Sequence, residues 1–266
     1  MRGQNVVIRL RHINSLRLLL NLLENIHNFR YAHFNFHGCF SFMNFTVLRW
    51  SVISIRLSVL IFLALGILSA YYYPGGNYIS KAAQSYSFWN NFICDSFRNI
   101  TCTGQNNLFG ARLASLGMLV LIFGGVFPIF FVFPYQLSKK VPLNWTIRWL
   151  GVSAVGVTAL LPLSSLFKMP LPHDIIVVIG SIPALIAAFL LFLTTLMETS
   201  SSRWVKVIGF LMLIIAMVNL ILYLRVQWFG SPLTSLLPGT QKVVLLLCLG
   251  WMLSLTTTLD SRSRGR

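Results

Sequence analysis

Long unbroken apolar runs dominate the chain, with polar residues gathered between them. Six of these runs, at 54–73, 113–133, 147–167, 174–196, 204–225 and 241–259, are long enough to cross a bilayer as helices. The hydrocarbon layer is roughly 30 Å thick and takes about 20 helical residues. None of the runs alternates with period two, and lipid leaves no water to satisfy exposed backbone groups, so a barrel is excluded and helix is the predicted form. The expected fold is all-α, a polytopic bundle of six transmembrane helices. Pro128, Pro162 and Pro183 fall inside spans two, three and four, and each removes a backbone donor, which predicts kinks there. Gly180, Ala184 and Ala188 recur every four residues in span four, a small-residue stripe along which another helix can approach closely.

The longest polar interruption, Tyr73 to Arg112, separates the first two spans. It follows an interfacial belt of Tyr71, Tyr72 and Tyr73, and opens with Pro74, Gly75 and Gly76, which end a helix and permit a tight turn. From Ser85 to Phe97, the residues Trp89, Phe92, Ile93 and Phe97 fall at helical spacing, with Asn91, Cys94, Asp95 and Arg98 on the other side. This pattern predicts a short extracytoplasmic amphipathic helix lying as a lid on the bundle, with Asp95 paired to Arg98 or Arg112. Asn99-Ile100-Thr101 also fits a glycosylation acceptor, a tripeptide that is frequent by chance.

Composition sharpens this picture. With 56% hydrophobic and 10% charged residues, the chain lacks the polar surface of a water-soluble globule of this size. Its 21 basic and five acidic residues would raise nucleic-acid binding in a soluble protein, but no recognition motif accompanies them, and anionic lipid headgroups are the better partner. Fifteen of the 21 basic residues fall on one side of the predicted spans, and Lys81, Arg98, Arg112, Lys168, Arg225 and Lys242 fall on the other. The richer side is predicted to be cytoplasmic, which places both termini there. Leaving out residues 1–42 removes five of the fifteen, and ten against six still favours the same orientation. The expected location is a bacterial inner membrane.

Residues 1–42 read differently from residues 43–266, which form a single six-helix domain. The segment Val6 to Ile26 is apolar and punctuated by arginine, as an interfacial amphipathic helix would be. The alternative is a translation start at Met43, favoured because the earlier segment has no secretory-signal layout. His27, His33, His37 and Cys39 match no standard metal spacing, so neither a metal nor a cofactor is expected. Cys94 and Cys102 share the first loop, and both a disulfide and two free thiols remain open.

Three stretches of the first loop carry a resemblance: Tyr73-Pro74-Gly75-Gly76-Asn77, then Tyr86-Ser87-Phe88-Trp89-Asn90-Asn91-Phe92-Ile93-Cys94-Asp95, then Gly104-Gln105-Asn106-Asn107. Together they resemble the first loop of an uncharacterised bacterial six-span family similar to domain of unknown function 998, itself distantly similar to the Frag, DRAM and Sfk membrane proteins. The resemblance implies that Asp95, with Asn106 or Asn107, occupies the family's aspartate and asparagine positions. The chain departs from that pattern in span four. Family members often carry an aspartate followed by a histidine inside the helix, whereas here His173 and Asp174 are adjacent and no histidine follows. The family has no established reaction, so the resemblance implies a fold more than a function.

The candidate ligand-binding residues are Asp95, Arg112, His173, Asp174, Asn219 and Arg225, all near one membrane level. Unpaired charges at headgroup depth are costly, so Asp95, Arg112, His173, Asp174 and Arg225 are expected to converge beside the lid. Span centres hold almost nothing ionisable, which argues against a transporter. A lipid-modifying enzyme would need an acid, base or nucleophile at this depth, and His173 and Asp174 with Ser164 or Ser165 could serve. Adjacent His and Asp residues more often cap a helix start. The leading expectation is a non-enzymatic protein that binds lipid, a small amphiphile or a partner protein, which includes a second copy of itself.

Overall fold

A computed structural model describes residues 45–137, 141–169, 171–198 and 201–264. The interfacial helix or late start considered for the first 42 residues, and the histidines and Cys39 within them, lie outside the described residues. Helix α1 spans Phe45–Tyr71. The second crossing is built from α2 (Leu108–Leu121), a π-helical turn (Ile122–Val126), α3 (Phe127–Phe131) and α4 (Phe133–Leu137). Then come α5 (Val141–Phe167), α6 (His173–Met197), α7 (Arg203–Phe229) and α8 (Leu236–Arg264). Six helical segments are long and apolar enough to cross a membrane, in keeping with a multi-pass membrane protein. They match the six apolar runs, extending several residues past all but the fourth because a helix need not stop where hydrocarbon does.

The crossings pack in chain order, and α8 returns to lie against α1. The proline in span two has the largest consequence. Pro128 has no N–H to offer the Gly124 carbonyl, and the helix widens into its π turn directly before it. The freed Gly124 carbonyl accepts the Ser54 hydroxyl of α1 at 2.8 Å, so the polar group is satisfied inside the bundle. A side chain at Gly125 would meet the Ser58 hydroxyl at 2.8 Å and Met252 of α8 at 2.7 Å, which explains why this turn is made of glycine. Pro162 and Pro183, by contrast, sit within continuous helices. The stripe in span four faces α5, where a Cβ on Gly180 would come within 2.7 Å of Thr158.

At the end of the bundle away from the first loop, the Arg148 guanidinium is buried among aromatic rings. It lies 4.0 Å from the centroid of Phe131 and 4.4 Å from that of Tyr135, and it donates to the Tyr135 hydroxyl. The rings supply a negative face that offsets part of the cost of burying a cation.

Candidate functional site

The first loop closes the other end of the bundle, where α1, α5 and α7 finish and α2, α6 and α8 begin. After Tyr73 the chain turns through Gly75 and Gly76, at φ 111° and 78°. A Cβ on Gly75 would stand 2.4 Å from the Ala83 carbonyl, which itself accepts the Gly76 amide at 2.7 Å. Only glycine fits this left-handed, crowded turn.

Beneath it lies a knot of polar side chains. Asn77 and Asn91 are fully buried. The Asn77 side-chain oxygen accepts the amides of Ile79 (3.0 Å) and Ser80 (2.7 Å), and the Asn91 side-chain oxygen accepts the Ser87 amide at 2.8 Å. Asp95, also buried, accepts the Phe92 amide at 2.8 Å. Asn107 grips the same segment from the other side, donating to the carbonyls of Arg98 (2.9 Å) and Ser96 (3.5 Å).

Side chains that capture nearby backbone amides compete with regular helix, and the competition is visible here. The lid expected at 85–97 is helical only over Ile93–Phe97, as a 3₁₀ helix, and is preceded by turns. Phe97 is buried and Arg98 exposed, as the pattern predicts, but three positions depart from it. Asn91 and Asp95, read as polar surface, are buried, while Trp89, read as part of the apolar face, is exposed. The buried polar groups can be tolerated because nearly all find partners inside the loop.

Lys242, on the second turn of α8, completes the knot. Its side chain is buried, and its ammonium donates to the main-chain carbonyl of Asn91 and to that of Pro238 at 3.2 Å, with the ring centroids of Phe88 and Tyr86 5.5 and 5.8 Å away. One residue earlier, the Gln241 side chain accepts the Ile93 amide at 2.9 Å. Burial pushes the Asp95 carboxyl above the usual carboxylate range, opposed by the Phe92 amide, by Arg98 and, more weakly, by Lys242. The Arg98 Nε lies 3.9 Å from the Asp95 carboxylate.

Beside this knot, a cleft of about 330 Å³ opens between the loop and the α5–α6 turn. Its loop wall runs from Phe97 to Ile100 with Cys94, and its helical wall contributes Leu161, Ser164, Ser165, Lys168, Met169 and His173. Ser165 and Asn99 stitch the walls together: the Ser165 hydroxyl donates to the Phe97 carbonyl, and the Asn99 amide donates to the Ser165 carbonyl at 3.0 Å. Asn99, the acceptor of the Asn-Ile-Thr tripeptide, is therefore engaged within the protein.

The sequence-selected residues are not all together. His173 lines the cleft, and Asp95 sits directly behind Arg98. Asp174 does not orient His173 or bond to a helix amide. It accepts the Tyr223 hydroxyl of α7 at 2.9 Å. Asn219 accepts the Thr240 hydroxyl at 3.1 Å, joining α7 to α8. Arg112 and Arg225 are exposed, and neither side chain bonds to a described residue. The expected convergence therefore reaches Asp95 and His173, while Arg98, Lys168 and Lys242 supply the positive charge in place of Arg112 and Arg225.

Arg98 was already legible as a partner of Asp95, and two signals could have found the lysines. A lone lysine at the very start of an apolar run, as Lys242 is in 241–259, calls for partners at the span end. A helix stop at Phe167-Lys168-Met169-Pro170 without a glycine points to an unusual cap. The thiols of Cys94 and Cys102 are both free. Burial and then the Asp95 carboxylate push the Cys94 thiol up to about 12, so it stays protonated and is a poor nucleophile at neutral pH. Among the described residues no cluster of three or more His, Cys, Asp or Glu side chains forms a metal site. No protein-family profile, curated protein or solved structure matches the chain.

Proposed function

We propose that this protein binds an amphiphile at the first-loop end of its bundle, holding it rather than transforming it. The observation that carries the reading is the cleft between the loop and the α5–α6 turn, whose walls mix apolar side chains with basic and amide groups. Ile100 in its wall and Phe167 next to Lys168 are exposed, as a site fed from lipid requires. Holding rather than reacting is supported by how the reactive groups are occupied. The Ser164 hydroxyl is bonded to the Leu161 carbonyl at 2.8 Å, the Ser165 hydroxyl to the Phe97 carbonyl, and the Asp174 carboxylate to Tyr223. With the basic-rich side cytoplasmic, the cleft opens at the outer leaflet of a bacterial inner membrane and both termini lie inside. The first-loop resemblance to the family of domain of unknown function 998 supports the same six-span plan and assigns no reaction.

Replacing Ser164 by Phe fills the cleft from α5 without removing a bond between the walls. The full chain, purified in a mild neutral detergent, should retain lipid detectable by native mass spectrometry, and Ser164→Phe should lose most of it while melting at a similar temperature. Equal retention by the two forms would contradict the reading.

A further inference from the structure

Three basic side chains face the same cleft. Arg98 enters from the loop, Lys168 from the turn after α5, and His173 from the first residue of α6, and no acidic residue lines it. Asp95 stands behind Arg98, with a carboxylate oxygen 3.9 Å from Nε, too long for a hydrogen bond. The Arg98 guanidinium also lies 5.2 Å from the Tyr78 ring centroid, so its Nε edge and one face are oriented while its terminal nitrogens have no bond to a described residue. Lys168 makes no hydrogen bond or ion pair with any described residue.

The backbone at Lys168 is a second, independent observation. Among the described residues it is the one non-glycine with positive φ, at 54°. It occupies the left-handed position that ends α5, and the Met169 amide closes the cap on the Ser164 carbonyl at 2.9 Å. The chain solves the same geometric problem at the end of α7 with Gly230, at φ 65°. A left-handed lysine is strained where glycine is not. The strained residue is a cation that lines the cleft, and strained backbone of this kind gathers at binding sites.

We propose that the cleft is a site for a phosphate-type oxyanion, supplied by the headgroup of an anionic lipid, with Arg98 and Lys168 as its principal ligands and His173 closing the third side. The planar guanidinium matches two oxygens of such a group, and the lysine acts as a point charge opposite it. The exposed Phe167 beside Lys168 leaves acyl chains a path along the bundle surface. This assignment rests on the amphiphile reading above and names the chemistry of the head.

The test uses the full chain in neutral detergent with equimolar phosphatidylglycerol and phosphatidylcholine of identical acyl chains, read by native mass spectrometry. A parallel titration uses inorganic phosphate alone. Wild type should prefer phosphatidylglycerol, and Arg98→Gln and Lys168→Gly should each lower that preference about fivefold, the effect of one basic residue at a lipid surface. Lys168→Gly carries the decisive control, because it removes the cation while relieving the left-handed strain, so its melting temperature should hold or rise. An unchanged preference in both variants would overturn the site. Equal retention of the two lipids by wild type, with both lost in Ser164→Phe, would overturn the assignment to an anionic lipid, since phosphatidylcholine carries the same phosphodiester beside a cation, and leave the amphiphile reading standing. Binding of inorganic phosphate that Lys168→Gly abolishes, with no lipid retained by any form, would support the oxyanion site and overturn the amphiphile reading.

Discussion

The first loop meets the bundle in two adjoining places that handle positive charge in opposite ways. In the knot, Lys242 is buried, and its ammonium is satisfied by the carbonyls of Asn91 and Pro238 with Asp95 nearby. In the cleft, Lys168 is exposed and bonded to no described residue, and Arg98 turns only its Nε edge towards Asp95. A buried cation that lacked partners would be far too costly to keep, so the knot's charge is committed to holding the loop on α8. The cleft's charge is only partly engaged: Arg98 faces Asp95 and Tyr78 through its Nε edge and one face, Lys168 is bonded to no described residue, and the rest is available to a ligand. Scaffold and site are thus only a few residues apart, and variants should separate them.

The largest effect is expected from Lys242→Met. It leaves the Asn91 carbonyl without its buried donor and Asp95 with Arg98 as its nearest cation, and removing one partner of a buried charge cluster costs about 3 kcal/mol. Thermal unfolding in detergent should show that loss, while whatever folded protein remains keeps its lipid preference. Gly75→Ala comes next. Its φ of 111° and the 2.4 Å approach of a Cβ to the Ala83 carbonyl predict a loss of about 2 kcal/mol by the same assay, again without a change in lipid preference.

Asp95→Asn should act more gently and through pH. Burial raises the folded-state value of this carboxyl, so the neutral acid is favoured in the fold. Its stabilising contribution is complete below the usual carboxylate range and is lost as pH rises through the raised value. Melting temperature of the wild type should therefore fall across that window, and Asp95→Asn, which keeps an oxygen for the Phe92 amide, should flatten the fall. A wild-type curve that rises over the same window would contradict the sign. Smallest in stability is Lys168→Gly, expected to gain up to about 1 kcal/mol from relieved strain, reduced by glycine's greater freedom in the unfolded chain. It is also the one of these variants expected to change which lipid is held.

The spans were legible because hydrophobic length is a property of the sequence alone and lipid leaves helix as the remaining solution. Pro128 was legible as a disturbance, but its π turn depends on Ser54 and Ser58 of another helix, which no local pattern reveals. The first loop misled in an instructive way. Helical spacing placed Trp89 inward and Asn91 and Asp95 outward, and periodicity would have been decisive if burial had depended on hydrophobicity alone. Instead the asparagines and the aspartate each capture an amide of the loop's own backbone, and that bond network overrides the apolar pattern. At the site, His173 and Asp95 could be selected because they are rare acids and bases at one level. Arg112 and Arg225 were selected by the same rule and stay at the surface. The rule counts charges near the membrane and cannot tell which of them the neighbouring helices enclose.

The distinction between knot and cleft is tested most directly by measuring phosphatidylglycerol preference and melting temperature together on Lys168→Gly and Lys242→Met. The account predicts a crossed result: Lys168→Gly loses preference without losing stability, and Lys242→Met loses stability without losing preference. If both variants lost preference only in proportion to stability, the cleft cations would belong to the scaffold, and the binding site assigned here would be contradicted.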